Sequence, residues 1–317
     1  MSLDTAASPS APCLLVFAAR ERAKAFVRGA FPKRKARTLL VRTREEFDHA
    51  IRRDLIDAVL IDLGAGNGAG HAEAGAQSAS LSSVSTHPSP VPVRPAPPGG
   101  RPAGAAAVPS EEAWDILARA QDFPSTPFFA LLPTRTADTP AIARAAHMGA
   151  TDILAEGMDE EAARDLVFPH TYTARFARAL HDPPAALGLT ADIQRRTWHC
   201  IIQHAGRPVT TKALADEIGV TREHLSRNFA QGNGPNLKRI IDLVRLVSAA
   251  ELSKNPGYDV RDVAEVLGFA SSSHLAVTTH RIASTRPASL AGLRTVDLVD
   301  RFTQGRTRSR VAGNEGL

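Results

Sequence analysis

A chain of 317 residues with 43% apolar content exceeds one typical domain of about 100–200 residues and holds enough hydrophobic material for two cores. No apolar run approaches the roughly 18–20 residues that span a bilayer, and the opening MSLDTAASPSAPCLLVF lacks the basic start of a signal peptide. A soluble cytoplasmic protein with no membrane partner is therefore expected. The net charge of +5 is uneven, with 18 Lys and Arg against 12 Asp and Glu in residues 190–317 and 20 against 21 before them, so the C-terminal half is the one suited to a polyanion.

In chain order, CLLVFA (Cys13–Ala18) is an apolar run of strand length, and RERAKAFVRGAF has helical spacing at Ala23, Phe26 and Val27. RTLLVR (Arg37–Arg42) reads as a strand, TREEFDHAIRRD as a helix capped by Thr43, and DAVLIDL (Asp57–Leu63) as a buried strand. Residues 64–110 are almost all Gly, Ala, Ser and Pro; such a segment buries too little apolar surface to offset its ordering entropy and is expected to be disordered. A helix over Glu111–Ala120, the strand PFFALL (Pro127–Leu132), a helix near Thr139–Met148, and TDIL ahead of a last helix complete the half. Unbroken apolar strands alternating with helices predict an α/β doubly wound parallel sheet over residues 11–181.

Pro183 and Pro184 stop any helix in HDPPAALG, which makes residues 182–189 a linker. From Thr190 only helical signals follow. TADIQRRTWHCIIQHAG places Ile193, Thr197, Cys200, Ile201 and His204 on one stripe, with Thr190 as its cap. Helices are then expected over Thr211–Ile218, Arg222–Ala230, Leu237–Ser253, Val260–Leu267 and Ser272–Arg281, making an all-α domain over 190–294 and a basic tail over 295–317.

Within that domain LADEIGVTREHLSRNF (Leu214–Phe229) and VAEVLGFASSSHLAVT (Val263–Thr278) repeat one pattern. A short helix presents Ala215 or Ala264, stops at Gly219 or Gly268, and restarts a few residues on. Small side chains let two helices approach, and Gly accepts the positive φ of a sharp turn, which is the chemistry of a helix-turn-helix. Thr221 and the Ser271–Ser273 run supply oxygens to cap each second helix. Between them NLKRIIDLVRLVSAAELSK, about 18 residues and roughly 27 Å long as a helix, could set two recognition helices near one DNA turn of about 34 Å apart.

On these residues, with VRLVSAAELS, DVRDVAEVLGFASSSHL and the closing RPASLAGLR, the stretch 190–294 resembles the DNA-binding domain of the AraC family of bacterial transcription regulators. The resemblance implies a seven-helix, double helix-turn-helix domain that inserts both recognition helices into successive major grooves of double-stranded DNA. Thr279 and Val277 stand where the family usually carries an aromatic core residue and a basic surface residue, and Ser284 stands where a Gly is usual. The second unit then offers Ser272, Ser273, His274 and Ala276, none of which makes bidentate base contacts. The first offers Thr221, Arg222, Glu223, Ser226 and Arg227; Arg holds guanine O6 and N7 together, and Glu accepts from cytosine N4. Lys238, Arg239 and Arg281 are phosphate candidates.

The N-terminal half resembles the receiver domain of two-component response regulators, a flavodoxin-like fold, through DAVLIDL, which places Asp62 at the phosphoacceptor position, and HMGATDIL (His147–Leu154). A working receiver needs an acidic pair after the first strand, a hydroxyl after the fourth and a Lys after the fifth. Phe17-Ala18-Ala19, Leu132 and Glu156 hold those places. One carboxylate does not assemble a Mg²⁺ site, so Asp62 is expected to be inert and the half to serve regulation or dimerisation. Nothing predicts catalysis or a cofactor. His199 and His204, five apart, do not share the face that metal ligation uses; GAGNGAG opens no helix; and Cys13 and Cys200 have no zinc or disulfide spacing. The leading expectation is a sequence-specific transcription regulator with DNA as partner and a homodimer or RNA polymerase as further candidate partners. The alternatives are a phosphorelay regulator modified at Asp62 and a protein-interaction adaptor.

Overall fold

The structure is a computed structural model and describes residues 11–64, 111–133, 139–230 and 235–314. All but Gly64 of the stretch expected to be disordered lies outside these residues.

Five short strands, β1 (Cys13–Phe17), β2 (Arg37–Val41), β3 (Ala58–Asp62), β4 (Phe128–Pro133) and β5 (Asp152–Glu156), pair in parallel in the order β2-β1-β3-β4-β5. That is the doubly wound order of receiver-like, flavodoxin-like folds. Alternate residues go to opposite faces. Leu14 and Val16 of β1, Leu60 of β3 and Phe129 and Leu131 of β4 pack under α1 (Glu21–Ala30) and α5 (Glu160–Val167). Leu15, Phe17, Val59, Ile61, Phe128 and Ala130 pack under α2 (Arg44–Arg53), α3 (Glu111–Ala118) and α4 (Thr139–His147). Thr43 caps α2 as expected, accepting from Glu46 N at 3.2 Å.

The second face does not end at the helices. The same core runs through α6 (Tyr172–Ala179) into α7 (Asp192–Gln203) and on through α8 (Thr211–Ile218), α9 (Arg222–Ala230), α10 (Leu237–Leu252), α11 (Val260–Val266), α12 (Ser272–Ala283) and α13 (Thr295–Asn314). The stretch read as a linker is packed: Leu187 and Leu189 are buried, and Trp198 Nε1 donates to Leu180 O at 2.8 Å.

Three expectations need correction. Thr190 is exposed and does not cap α7; Gln194 Oε1 accepts from Ala191 N at 3.1 Å instead. The stripe of α7 is wider than Ile193, Thr197, Cys200, Ile201 and His204, because Gln194, Trp198 and Ile202 are buried too. The basic tail expected over 295–317 is helical in its described part: α13 spans Thr295–Asn314 and buries Leu298, Val299 and Phe302, and residues 315–317 lie outside the described residues. It is the seventh helix of the C-terminal part, and its basic residues hid three core positions.

The central helix α10 is buried on nearly all sides. Leu237, Ile240, Ile241, Val244 and Val247 are buried, as are Leu243, Leu246, Ser248, Ala249 and Ala250, which an amphipathic surface helix would expose. The sheet domain covers that further side: Tyr172 Oη and Ser248 Oγ lie 2.9 Å apart, and Ser248 Oγ donates to Ala205 O at 2.8 Å. Gly206, at φ +85°, fits against Ser248 because a Cβ there would lie 2.5 Å from the serine Cβ.

Candidate nucleic-acid interface

The two repeats fold into matching turns. Helix α8 starts under Thr210, whose Oγ1 accepts from Ala213 N at 3.1 Å, and ends at Gly219 with φ +81°. Val220 N then donates back to Ala215 O at 2.9 Å. Helix α11 starts under Asp259, which exchanges hydrogen bonds with Asp262, and ends before Gly268 with φ +63°. Phe269 N donates back to Ala264 O at 2.8 Å. Each turn thus closes a six-to-one bond onto the alanine that the sequence singles out, with Gly in the left-handed conformation between.

The second helix of each unit is capped where the sequence placed the caps. Thr221 Oγ1 accepts from His224 N and Ser271 Oγ from His274 N, each at 3.1 Å. On α9, Leu225 and Phe229 are buried while Thr221, Arg222, Glu223, Ser226 and Arg227 are exposed. Among the described residues the side chains of Arg222, Glu223, Ser226 and Arg227 form no hydrogen bond or ion pair, so two cations, one anion and one hydroxyl share an open helical face.

The second unit presents a different surface. Ser273 and His274 are exposed, and the His274 ring meets Phe269 edge-on at 5.6 Å. Ser272 and Ala276 are half-buried, turned partly toward the unit's own core. Thr279 is fully buried where an aromatic residue is usual, and its hydroxyl turns back to Leu275 O at 2.8 Å. Val277, at 64% exposure, and His280 complete the open face; neither figures among the contacts expected from sequence. Ser284 ends α12 at φ +49°, the conformation for which the family uses Gly.

The three phosphate candidates have unequal freedom. Lys238 is exposed. The Arg239 guanidinium lies 5.0 Å from the centre of the Phe302 ring, and burial, aided by nearby Arg281, shifts its pKa below the usual arginine value. Arg281 is bound to Asp242 at 2.6 Å, which offsets part of its charge.

At the carboxyl ends of the strands, where a receiver works, Asp62 ends β3 with its side chain 1% exposed. Arg20, three residues beyond β1, fills the space above it. Its Nη2 lies 2.5 Å and its Nε 3.0 Å from Asp62 Oδ1, and its Nη1 donates to Glu156 Oε2 at 2.8 Å. Gly64 follows because a Cβ there would stand 1.9 Å from the Arg20 guanidinium carbon. Burial lowers the arginine's pKa, but its bonds to Asp62 and Glu156 outweigh that and raise it. Arg22 Nε comes within 3.0 Å of Glu156 Oε1 without hydrogen-bond alignment. The polarity of a receiver site is therefore reversed: a fixed guanidinium stands between two carboxylates, where the family places a carboxylate pair, a metal ion and a lysine. The stretch after β1 was read only as Phe17-Ala18-Ala19, and Arg20, one position on, was missed; the signal was the unmatched pair Asp62 and Glu156 at the carboxyl ends of β3 and β5, the strands on either side of β4.

Residues 214–291 match the family model described as a helix-turn-helix domain, a span that runs from α8 to just beyond α12 and includes both turns. Fold and match together define a DNA-binding helix-turn-helix transcription regulator: an AraC-type C-terminal part beside a receiver-like sheet. Searched against curated proteins, the chain finds no match. Among solved structures it is similar to a response regulator from Thermotoga maritima, at 16% identity over 50% of this chain and 95% of that one, with a TM-score of 0.32. It is also similar to full-length FixJ from B. japonicum, at 12% identity over 82% and 98%, with a TM-score of 0.33. A Burkholderia pseudomallei response regulator stands at 14% identity over 70% and 99%, with a TM-score of 0.31. The receiver-like fold rests on the strand order β2-β1-β3-β4-β5. Among the described residues no helix is long and apolar enough to cross a membrane.

Proposed function

We propose that the chain binds specific DNA sequences by placing α9 and α12 in successive major grooves, and that it performs no catalysis of its own. The observation that carries this reading is the repeated turn with an unpaired Arg222, Glu223, Ser226 and Arg227 on α9. Base reading then belongs mainly to the first unit, since Arg227 and Arg222 suit guanine and Glu223 suits cytosine. In the second unit Ser273 and His274 grip the backbone, and exposed Val277 suits a thymine methyl. Lys238, with Arg239 and Arg281, holds phosphates. Phosphorelay at Asp62 is disfavoured because Arg20 occupies the space on Asp62 that a metal and a phosphoryl group need.

The test is competition against a library in which each base of a selected duplex is randomised in turn. Arg227→Ala costs about 1–3 kcal/mol on the selected site and relaxes preference at one position. Ser273→Ala weakens all duplexes slightly and alike. If Ser273→Ala shifts base preference while Arg227→Ala leaves it intact, the reading helix has been assigned to the wrong unit.

A further inference from the structure

Both helix-turn-helix units are tied to the sheet domain, by surfaces that leave α9 and α12 free. On the first unit the tie is Arg207, in the connection between α7 and α8. Its guanidinium donates to Thr173 Oγ1 at 2.9 Å and Leu55 O at 3.0 Å, and pairs with Asp57 Oδ2 at 2.5 Å. Asp57 is fully buried and accepts also from Cys13 N at 2.7 Å and Thr173 N at 2.9 Å. One carboxylate thereby joins β1, α6 and the segment that opens the first unit.

On the second unit the tie is α11 lying against α2. Tyr258 Oη donates to Ile51 O at 2.9 Å, Arg52 pairs with Asp262 at 2.8 Å, and Arg53 pairs with Glu265 at 2.8 Å. Just before α11, Gly257 N donates to Asp122 O at 2.9 Å. Among the described residues no hydrogen bond or ion pair links α9 or α12 to the sheet domain.

Helix α11 carries α12 through the Gly268 turn, so a tilt of α11 on α2 swings α12 relative to α9. Two recognition helices on one duplex tolerate little such swing, because each base pair added between half-sites displaces the second by about 3.4 Å and rotates it around the axis, roughly 10 base pairs making a turn. We propose that Arg52 and Arg53 are specificity-determining positioning residues: acting through Asp262 and Glu265 they fix α12 against α9, and so set the half-site separation the protein accepts. The sheet domain is then a brace for DNA recognition rather than a switch that covers it. The inference rests on the two-groove reading above.

The test has one arm that needs no DNA. In a full-length Cys200→Ala background, spin labels at Ser226→Cys and Val277→Cys report the distance between the recognition helices by pulsed electron resonance. The parent gives one narrow distribution; Arg52→Glu with Arg53→Glu broadens or shifts it, and adding Glu265→Arg partly restores it. Should that double reversal fail to fold by circular dichroism, Arg52→Gln with Arg53→Gln removes the same two ion pairs more mildly. In the second arm, duplexes selected by the wild-type chain from a random library are lengthened or shortened by one base pair between half-sites. The parent discriminates the selected spacing by about tenfold, and the reversed variant loses that discrimination. An unchanged label distance overturns the brace whatever the DNA arm gives. A changed distance with an unchanged spacing preference overturns the specificity role. If the wild type selects only single sites while the labels respond, the two-groove reading fails and the proposed role falls with it.

Discussion

Replacing Arg20 by Met keeps an unbranched apolar stem and removes the guanidinium between Asp62 and Glu156, whose side chains are only 1% and 3% exposed. Breaking a buried ion pair from one side costs about 3–5 kcal/mol, because the remaining charge stays desolvated. Arg20 itself is 16% exposed, so water offsets part of the loss and about 3 kcal/mol is the expected figure. Against a domain stability of roughly 5–15 kcal/mol this is a large fraction. Urea unfolding, followed by Trp114 in α3 and Trp198 in α7, reads it as a fall in midpoint of about 1–2 M. A loss below about 1 kcal/mol refutes the idea that Arg20 is the fixed counter-ion of this site.

Burial pushes the Cys13 thiol from 9.0 up to about 11. Its contribution to stability is present below pH 9 and disappears as pH rises through 11; Cys13→Ala flattens that part of an alkaline unfolding curve by up to about 3 kcal/mol. Folded protein leaves Cys13 unlabelled by iodoacetamide at pH 8, and labelling before unfolding contradicts its placement. Phe302 is fully buried under Arg239, so Phe302→Ala costs about 3–5 kcal/mol by thermal or urea unfolding. Near-neutral behaviour there restores the view of residues 295–317 as a tail.

The sequence was most legible where structure is set by near neighbours. Five apolar runs became five strands, and Thr43, Thr221 and Ser271 cap the helices they precede. Gly219 and Gly268 turn where the repeat required positive φ. On α9 the exposed face was readable because Leu225 and Phe229, four apart, fix the buried one. What stayed hidden depends on residues distant in sequence. Arg20 meets Asp62 across 42 positions and Glu156 across 136, and neither spacing has a periodicity to betray it. Arg207 reaches Asp57 across 150 positions, so the docking of the two parts was invisible, and with it the burial of the far side of α10. Helix α13 was missed because its arginines set the local composition while Leu298, Val299 and Phe302 hold the core. In α12 the repeat placed Ser272 and Ala276 on the open face, but packing turns them half inward and leaves Val277 and His280 out.

The central claim is that α9 and α12 enter successive major grooves of one duplex. Hydroxyl-radical and methylation footprinting of the full-length protein on a duplex selected from a random library tests it most directly. The account predicts two protected patches on one face of the DNA, centred about 10 base pairs apart. It also predicts that Arg227→Ala loses guanine protection in one patch only. A single protected patch, or two patches on opposite faces, contradicts it.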